Sequence, residues 1–143
     1  MTDLAAAARV LGEERSGHPA VSDVDYMARV SQGFGLKALA RLAEEIAPGD
    51  PKFKYRIVPK ASLARFKAAR RLSPKQSVVL MRIAEVWVQA LRIWQSPEEA
   101  RNFLSRPHPL LEGRKPMDLV LENELGANLV RSVLGRLDSG SAV

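Results

Sequence analysis

Apolar residues return every three to four positions along nearly the whole chain, and no stretch alternates at period two. The pattern therefore predicts an all-α fold without a sheet. Helices are expected over residues 3–14, 22–32, 35–47, 52–57, 59–70, 73–95, 97–105, 116–122 and 123–137. The punctuation between them is chemical. Ser22 is a good N-cap, and Pro48-Gly49-Asp50-Pro51 stops the third helix. Ser96-Pro97-Glu98-Glu99 has the spacing of a capping box with proline in the first turn. Arg106-Pro107-His108-Pro109 ends the helix that follows, because each proline lacks an amide and disfavours helix before it. Asn123 is placed to cap the last helix. Ser16-Gly17-His18-Pro19 reads as a linker, and residues 139–143 as a pliable tail. Three parts are expected: a leading helix and linker over 1–21, a helical domain over 22–85, and a second over 86–143.

The longest predicted helix carries Arg82, Glu85, Gln89 and Arg92 as one narrow polar stripe, with almost everything else apolar. Those polar residues rule out a membrane span. So much apolar surface needs more than one packing partner. Val79, Ile83, Val86, Trp87, Ala90 and Trp94 are either all core or include a homodimer or partner interface, and tryptophan is common in both places.

Charge changes the picture more than composition does. The 143 residues, 46% hydrophobic and 27% charged, suit one well-cored domain or two small helical ones. With no cysteine, disulfides, thiolate metal sites and cysteine nucleophiles are excluded. The first residues lack the basic flank and apolar run of a secretion signal, so a cytoplasmic setting is expected. Between Lys52 and Lys75, however, nine Lys or Arg occur without one Asp or Glu, against a net charge of +6 for the whole chain. A polyanion is the natural partner, since phosphates that meet several fixed cations release condensed counterions.

The segments 52–57 and 59–70 have the form of a helix-turn-helix: two short helices, a tight joint, and a densely basic second helix. Lys60, Ser62, Arg65 and Lys67, with Arg70 at the end of that helix, are the candidate DNA contacts, arginine being suited to the paired acceptors of guanine. A solvated basic surface helix is the plainer reading of the same residues. No catalytic constellation stands out. His18 and His108 each precede a proline and read as turn histidines, Glu98-Glu99 suits a helix start, and Gly33-Phe34-Gly35 lacks the ending of a phosphate loop. No metal, cofactor or enzymatic activity is expected.

Longer runs carry a resemblance. They are Val58-Pro59-Lys60-Ala61-Ser62-Leu63-Ala64-Arg65, Arg71-Leu72-Ser73-Pro74, Ser96-Pro97-Glu98-Glu99-Ala100-Arg101-Asn102-Phe103-Leu104, Arg106-Pro107-His108-Pro109-Leu110-Leu111-Glu112-Gly113-Arg114-Lys115-Pro116, and Glu124-Leu125-Gly126-Ala127. In order and spacing they resemble the Xre/MbcA/ParS antitoxin family, over about residues 35–140. The resemblance implies an Xre-like helix-turn-helix joined by a long helix to a small helical toxin-binding domain. It also implies a homodimer that represses its own operon by binding operator DNA, and a RES-domain toxin partner that consumes NAD or transfers ADP-ribose from it. The chain would obstruct the toxin's NAD pocket with Leu137, Asp138, Ser139, Gly140, Ala142 and Val143, supported by Trp94, Pro109, Leu111 and Arg114. A DNA-binding regulator without a toxin, and a protein-interaction module whose basic segment is only surface, are the other readings.

Overall fold

The computed structural model describes residues 3–13 and 22–140. Ala142, Val143 and the whole of the proposed Ser16-Gly17-His18-Pro19 linker lie outside the described residues. Nine α-helices follow in order among the described residues: α1 Asp3–Leu11, α2 Asp23–Gln32, α3 Leu36–Ile46, α4 Lys54–Ile57, α5 Lys60–Phe66, α6 Pro74–Trp94, α7 Pro97–Ser105, α8 Pro116–Glu122 and α9 Glu124–Asp138. A single 3-10 turn at Pro109–Leu111 adds to them. The fold is all-α, and the one extended pairing among the described residues is an isolated antiparallel bridge between Gly35 and Arg71. The chain divides into two compact units, Met1–Ala84 and Glu85–Val143, with the division inside α6.

In the first unit α1 packs on α2 and α3, and α3 on α4. Its core gathers Leu11, Tyr26, Phe34, Leu39, Leu42, Phe53, Ile57, Val58, Leu72 and Leu80. Burying each of the larger side chains contributes about 1.5–3 kcal/mol. α1 stops three residues earlier than its periodicity suggests. Gly12 turns left-handed at φ 71°, its amide bonds to the Arg9 carbonyl, and the Glu13 amide reaches back to Ala8 at 2.9 Å. This is the Schellman ending, which glycine makes without a Cβ penalty. Just past this ending, Glu13 accepts the Gly35 amide at 3.0 Å and pairs with Arg29 at 3.5 Å. A carboxylate at the start of α3 also complements the partial positive charge there.

The basic helix is shorter than expected too. α5 ends at Phe66, residues 67–70 turn, and Arg70 is left-handed at φ 55°. The chain must swing back so that the Leu72 amide donates to the Phe34 carbonyl at 2.8 Å and the Leu36 amide to the Arg70 carbonyl at 3.3 Å. Gly33 makes this approach possible: φ is 87°, and a Cβ there would stand 2.1 Å from the Leu72 carbonyl oxygen. The fully buried Ser77 hydroxyl completes the joint, accepting the Phe34 amide at 2.8 Å while donating to the Ser73 carbonyl at 2.9 Å.

In the second unit α8 and α9 pack most closely and α7 lies on α8, around Leu104, Met117, Val120, Ala127, Val130 and Leu134. Asn123 caps α9 by accepting the Gly126 amide at 2.9 Å, and Ser96 caps α7 by accepting the Glu99 amide at 3.3 Å. Gly126 lets α9 start against α8, since a Cβ on it would lie 2.0 Å from the Leu119 carbonyl oxygen. Arg131 donates to Glu85 at 2.7 Å, and the Gln89 amide donates to the Arg131 carbonyl at 3.2 Å, tying α9 to the second half of α6. Trp87 is fully buried there, with the Arg101 guanidinium 5.7 Å from its ring centre.

The two glycines of α9 predict opposite responses to one change. Gly126→Ala drives a methyl into the α8 backbone and costs about 3 kcal/mol. Gly135→Ala meets open space and removes helix-interior flexibility, gaining about 0.5–1 kcal/mol. Gly33→Ala combines a left-handed backbone with a clash and costs about 3 kcal/mol. Urea midpoints followed by helical circular dichroism check all three signs.

Candidate functional site

Two regions concentrate the candidate residues, one in each unit. In the first, α4 and α5 are joined only by Val58 and Pro59, and Pro59 sets the entry to α5 without a side-chain cap. Lys60, Leu63 and Ala64 share one face of α5 and, with Lys67 just past its end, Leu36, Leu39 and Ala40 of α3 and Lys54 and Tyr55 of α4, line an open groove of about 450 Å³. The Lys54 and Lys60 ammonium groups stand 5.3 and 4.9 Å from the Tyr55 ring centre. Ser62 and Arg65 lie on another face, where the Arg65 guanidinium donates to the Ser62 hydroxyl at 3.2 Å. That bond leaves most of the guanidinium's donors available for a ligand. Arg70 lies beyond the helix in the left-handed turn. The five expected DNA contacts therefore split among the groove, a second helix face and a turn.

The dimer candidates on α6 resolve differently. Ile83, Val86, Trp87 and Ala90 are fully buried within the chain and Val79 is half-buried, while their neighbour Val78 is exposed. Of the two readings left open by the sequence, these four side chains take the core one: a surface partner cannot reach them.

In the second unit an open cavity of about 350 Å³ is lined by Trp94, Glu99, Asn102, Phe103, Arg106, Pro107, His108 and Leu137. Three rings form its wall: Trp94 and Phe103 centres are 6.0 Å apart, and His108 meets Phe103 edge-on at 5.7 Å. His108 also caps the 3-10 turn, its Nδ1 accepting the Leu110 amide at 3.1 Å. With Nδ1 an acceptor, the ring hydrogen of the neutral form sits on Nε2 and is available to a carbonyl or carboxylate. Trp94, 37% exposed, lines the same cavity.

Among the expected toxin-contacting residues, the cavity brings Trp94 and Leu137 together. Pro109 is exposed in the 3-10 turn, and Arg114 is exposed and paired with Glu122 at 2.9 Å. Leu111 is corrected, being buried beneath the turn as a core residue. Asp138, Ser139 and Gly140 are exposed at the end of α9, with the Ser139 hydroxyl donating to the Arg136 carbonyl. The sequence reading missed the part played by Phe103 and His108, and also Leu125 and Leu129, 68% and 49% exposed one turn apart on α9. Leucines at that spacing in a predicted helix read as core until the burial of the opposite face is known.

Residues 89–140 match the family model described as the antitoxin Xre/MbcA/ParS C-terminal toxin-binding domain. The match covers just over a third of the chain and lies wholly inside the second unit, taking in all of the cavity-lining residues. No curated protein matches the chain. Among the described residues no helix is long and apolar enough to cross a membrane, and no group of three or more His, Asp or Glu gathers as for a metal ion.

The two tryptophans report separately on this unit. Trp87 is fully buried and Trp94 lies at the cavity mouth. Acrylamide should quench the native protein in two components, and Trp94→Phe should remove the accessible one, leaving blue-shifted emission from Trp87; a single unchanged component would contradict this placement.

Proposed function

We propose that this chain is an antitoxin, whose second unit holds a toxin and whose first unit binds DNA. The observation that carries the reading is that the stretch matching a toxin-binding domain, residues 89–140, contains an open aromatic cavity with a hydrogen-bond donor at its wall. Large rings around a partly desolvated pocket are the usual anchors of protein association. An apolar side chain of the toxin fills the cavity between Trp94 and Leu137, and an adjoining acceptor meets His108 Nε2. Leu125 and Leu129 extend the contact along α9.

The toxin is of the RES-domain type, consuming NAD or transferring ADP-ribose, and is silenced by obstruction of its NAD pocket from the end of α9. The chain acts in the cytoplasm as a homodimer and represses its own operon. The excess of cations between Lys52 and Lys75 supports the DNA part of this reading. It equally favours a second reading, a DNA regulator with no toxin.

Co-expression of the tagged chain with the product of the neighbouring gene, followed by purification and an assay of NAD loss, tests the proposal. A stable complex with suppressed NAD loss is expected. A complex that never consumes NAD removes the RES assignment, and no complex at all leaves the DNA regulator. Trp94→Ala should weaken the complex by about 2 kcal/mol or more, and removal of residues 139–143 should relieve inhibition while leaving DNA binding intact. Arg65→Ala should cost about 1–3 kcal/mol on the operator and less on a random duplex, read by titration at fixed salt.

A further inference from the structure

A second open cavity of the first unit, about 510 Å³ in volume, lies beside the start of α3. Three cations reach it from separate places in the sequence. Lys37 and Arg41 stand one turn apart on the exposed side of α3, and Arg70 comes from the left-handed turn after α5. None of these side chains pairs with a carboxylate among the described residues. The acid in the cavity wall, Glu13, is already committed, with Oε1 on the Gly35 amide and Oε2 on Arg29. Cations that converge without an acid repel one another, and an anion placed among them relieves that repulsion.

The position of Arg70 says which anion fits. Residues 67–70 form the exit turn of α5, closed by the Arg70 amide on the Lys67 carbonyl at 3.2 Å. Lys67 at the start of the turn lines the α3–α4–α5 groove, Arg70 at its end lines this cavity, and Leu36 lines both. The cations of α5 and of α3 thus border one continuous strip, a shape that suits a chain of phosphates better than a single free ion. Arginine adds the fork that meets two phosphate oxygens at once. Arg71, next along the chain, is otherwise engaged, its guanidinium donating to the Gly33 carbonyl at 3.1 Å. Lys37 and Arg41 lie outside the basic run from Lys52 to Lys75, so the charge pattern along the chain does not single them out.

We infer that Lys37, Arg41 and Arg70 seat a phosphate of the DNA backbone where the strand passes the exit of α5. The inference rests on the DNA-binding part of the proposed function and extends the contact to α3. A phosphate seat carries no base information, but it fixes how the duplex lies against the face that bears Ser62 and Arg65. Glu13 supports it indirectly, by holding the start of the helix from which Lys37 and Arg41 project.

The test titrates the full-length chain onto a fluorescein-labelled duplex of random sequence at a series of salt concentrations, beside a Lys37→Gln, Arg41→Gln variant. Glutamine keeps much of each aliphatic stem and removes the charge, and circular dichroism verifies that the helices persist. A Lys115→Gln, Arg136→Gln variant loses the same net charge at exposed positions of the second unit. Loss of one phosphate contact should flatten the plot of log affinity against log salt by about 0.9. Binding should weaken in equal proportion on the operator and on the random duplex, and Lys37→Arg with Arg41→Lys should retain the native slope. An unchanged slope overturns the inference, as does equal flattening in the second-unit control, which makes the effect one of total charge. If the slope is unchanged while Arg65→Ala still separates operator from random duplex, this seat falls and the DNA reading stands. If the native chain binds no duplex at any salt, both fall. Calorimetric binding of inorganic phosphate that the Lys37→Gln, Arg41→Gln variant abolishes, with the duplex slope unchanged, assigns the cavity to free phosphate and also overturns the inference.

Discussion

The first unit depends on a small backbone joint in which residues 33–36 meet residues 70–72 and 77. Phe34 donates its amide to Ser77 and accepts from Leu72, Gly35 donates to Glu13, and Leu36 donates to Arg70. Three stretches of chain that are distant in sequence, at residue 13, residues 33–36 and residues 70–77, thereby satisfy one another's polar groups. Such groups, once removed from water, cost about 1–3 kcal/mol each if left unpaired. Gly33 sets the approach distance, Ser77 supplies a donor and an acceptor at a place sealed from solvent, and Glu13 brings the end of α1 to the start of α3. The exit of the basic helix α5 and the entry to α6 are consequences of this joint.

The second unit uses a related device once, where Gly126 brings the backbones of α8 and α9 together, and adds the Glu85–Arg131 pair along α6. These ion pairs differ in weight. Arg131 and Glu85 are largely shielded, whereas Arg114 and Glu122 are about half exposed and contribute at most about 1 kcal/mol. What the packing leaves uncovered is the ring-lined cavity around Trp94 and the outer leucines of α9. Helical architecture alone supports many activities, so that surface and the matched stretch of chain carry the functional meaning.

Much of the fold was legible in periodicity and caps. Ser22, Ser96 and Asn123 each cap the helix they announced, and every long helix was anticipated, because these signals are local. The misses came from contacts between distant residues. Residues 67–70 have helical composition but are pulled into a turn by pairing with residues 34–36. The role of Glu13 was not legible because its partners, Gly35 and Arg29, lie well along the chain. Of the candidate site, Trp94 and Leu137 were anticipated, but the wall made by Phe103 and His108 was not, since it exists only where α7 is followed by the 3-10 turn. Leu111 was misplaced for the same reason: its burial is set by the fold of that turn.

α5 contains no buried residue. Seven residues are too few to hold a helix by propensity, so it is maintained from outside: by Pro59 at its entry, by half-buried Leu63 and Phe66, and by the left-handed Arg70 turn at its exit. Any ligand that grips this helix also completes its ordering, and part of the attraction is used to do so. Binding strength at α5 can therefore be tuned by residues that never touch the ligand. Pro59 acts on it as stiffness rather than as a contact.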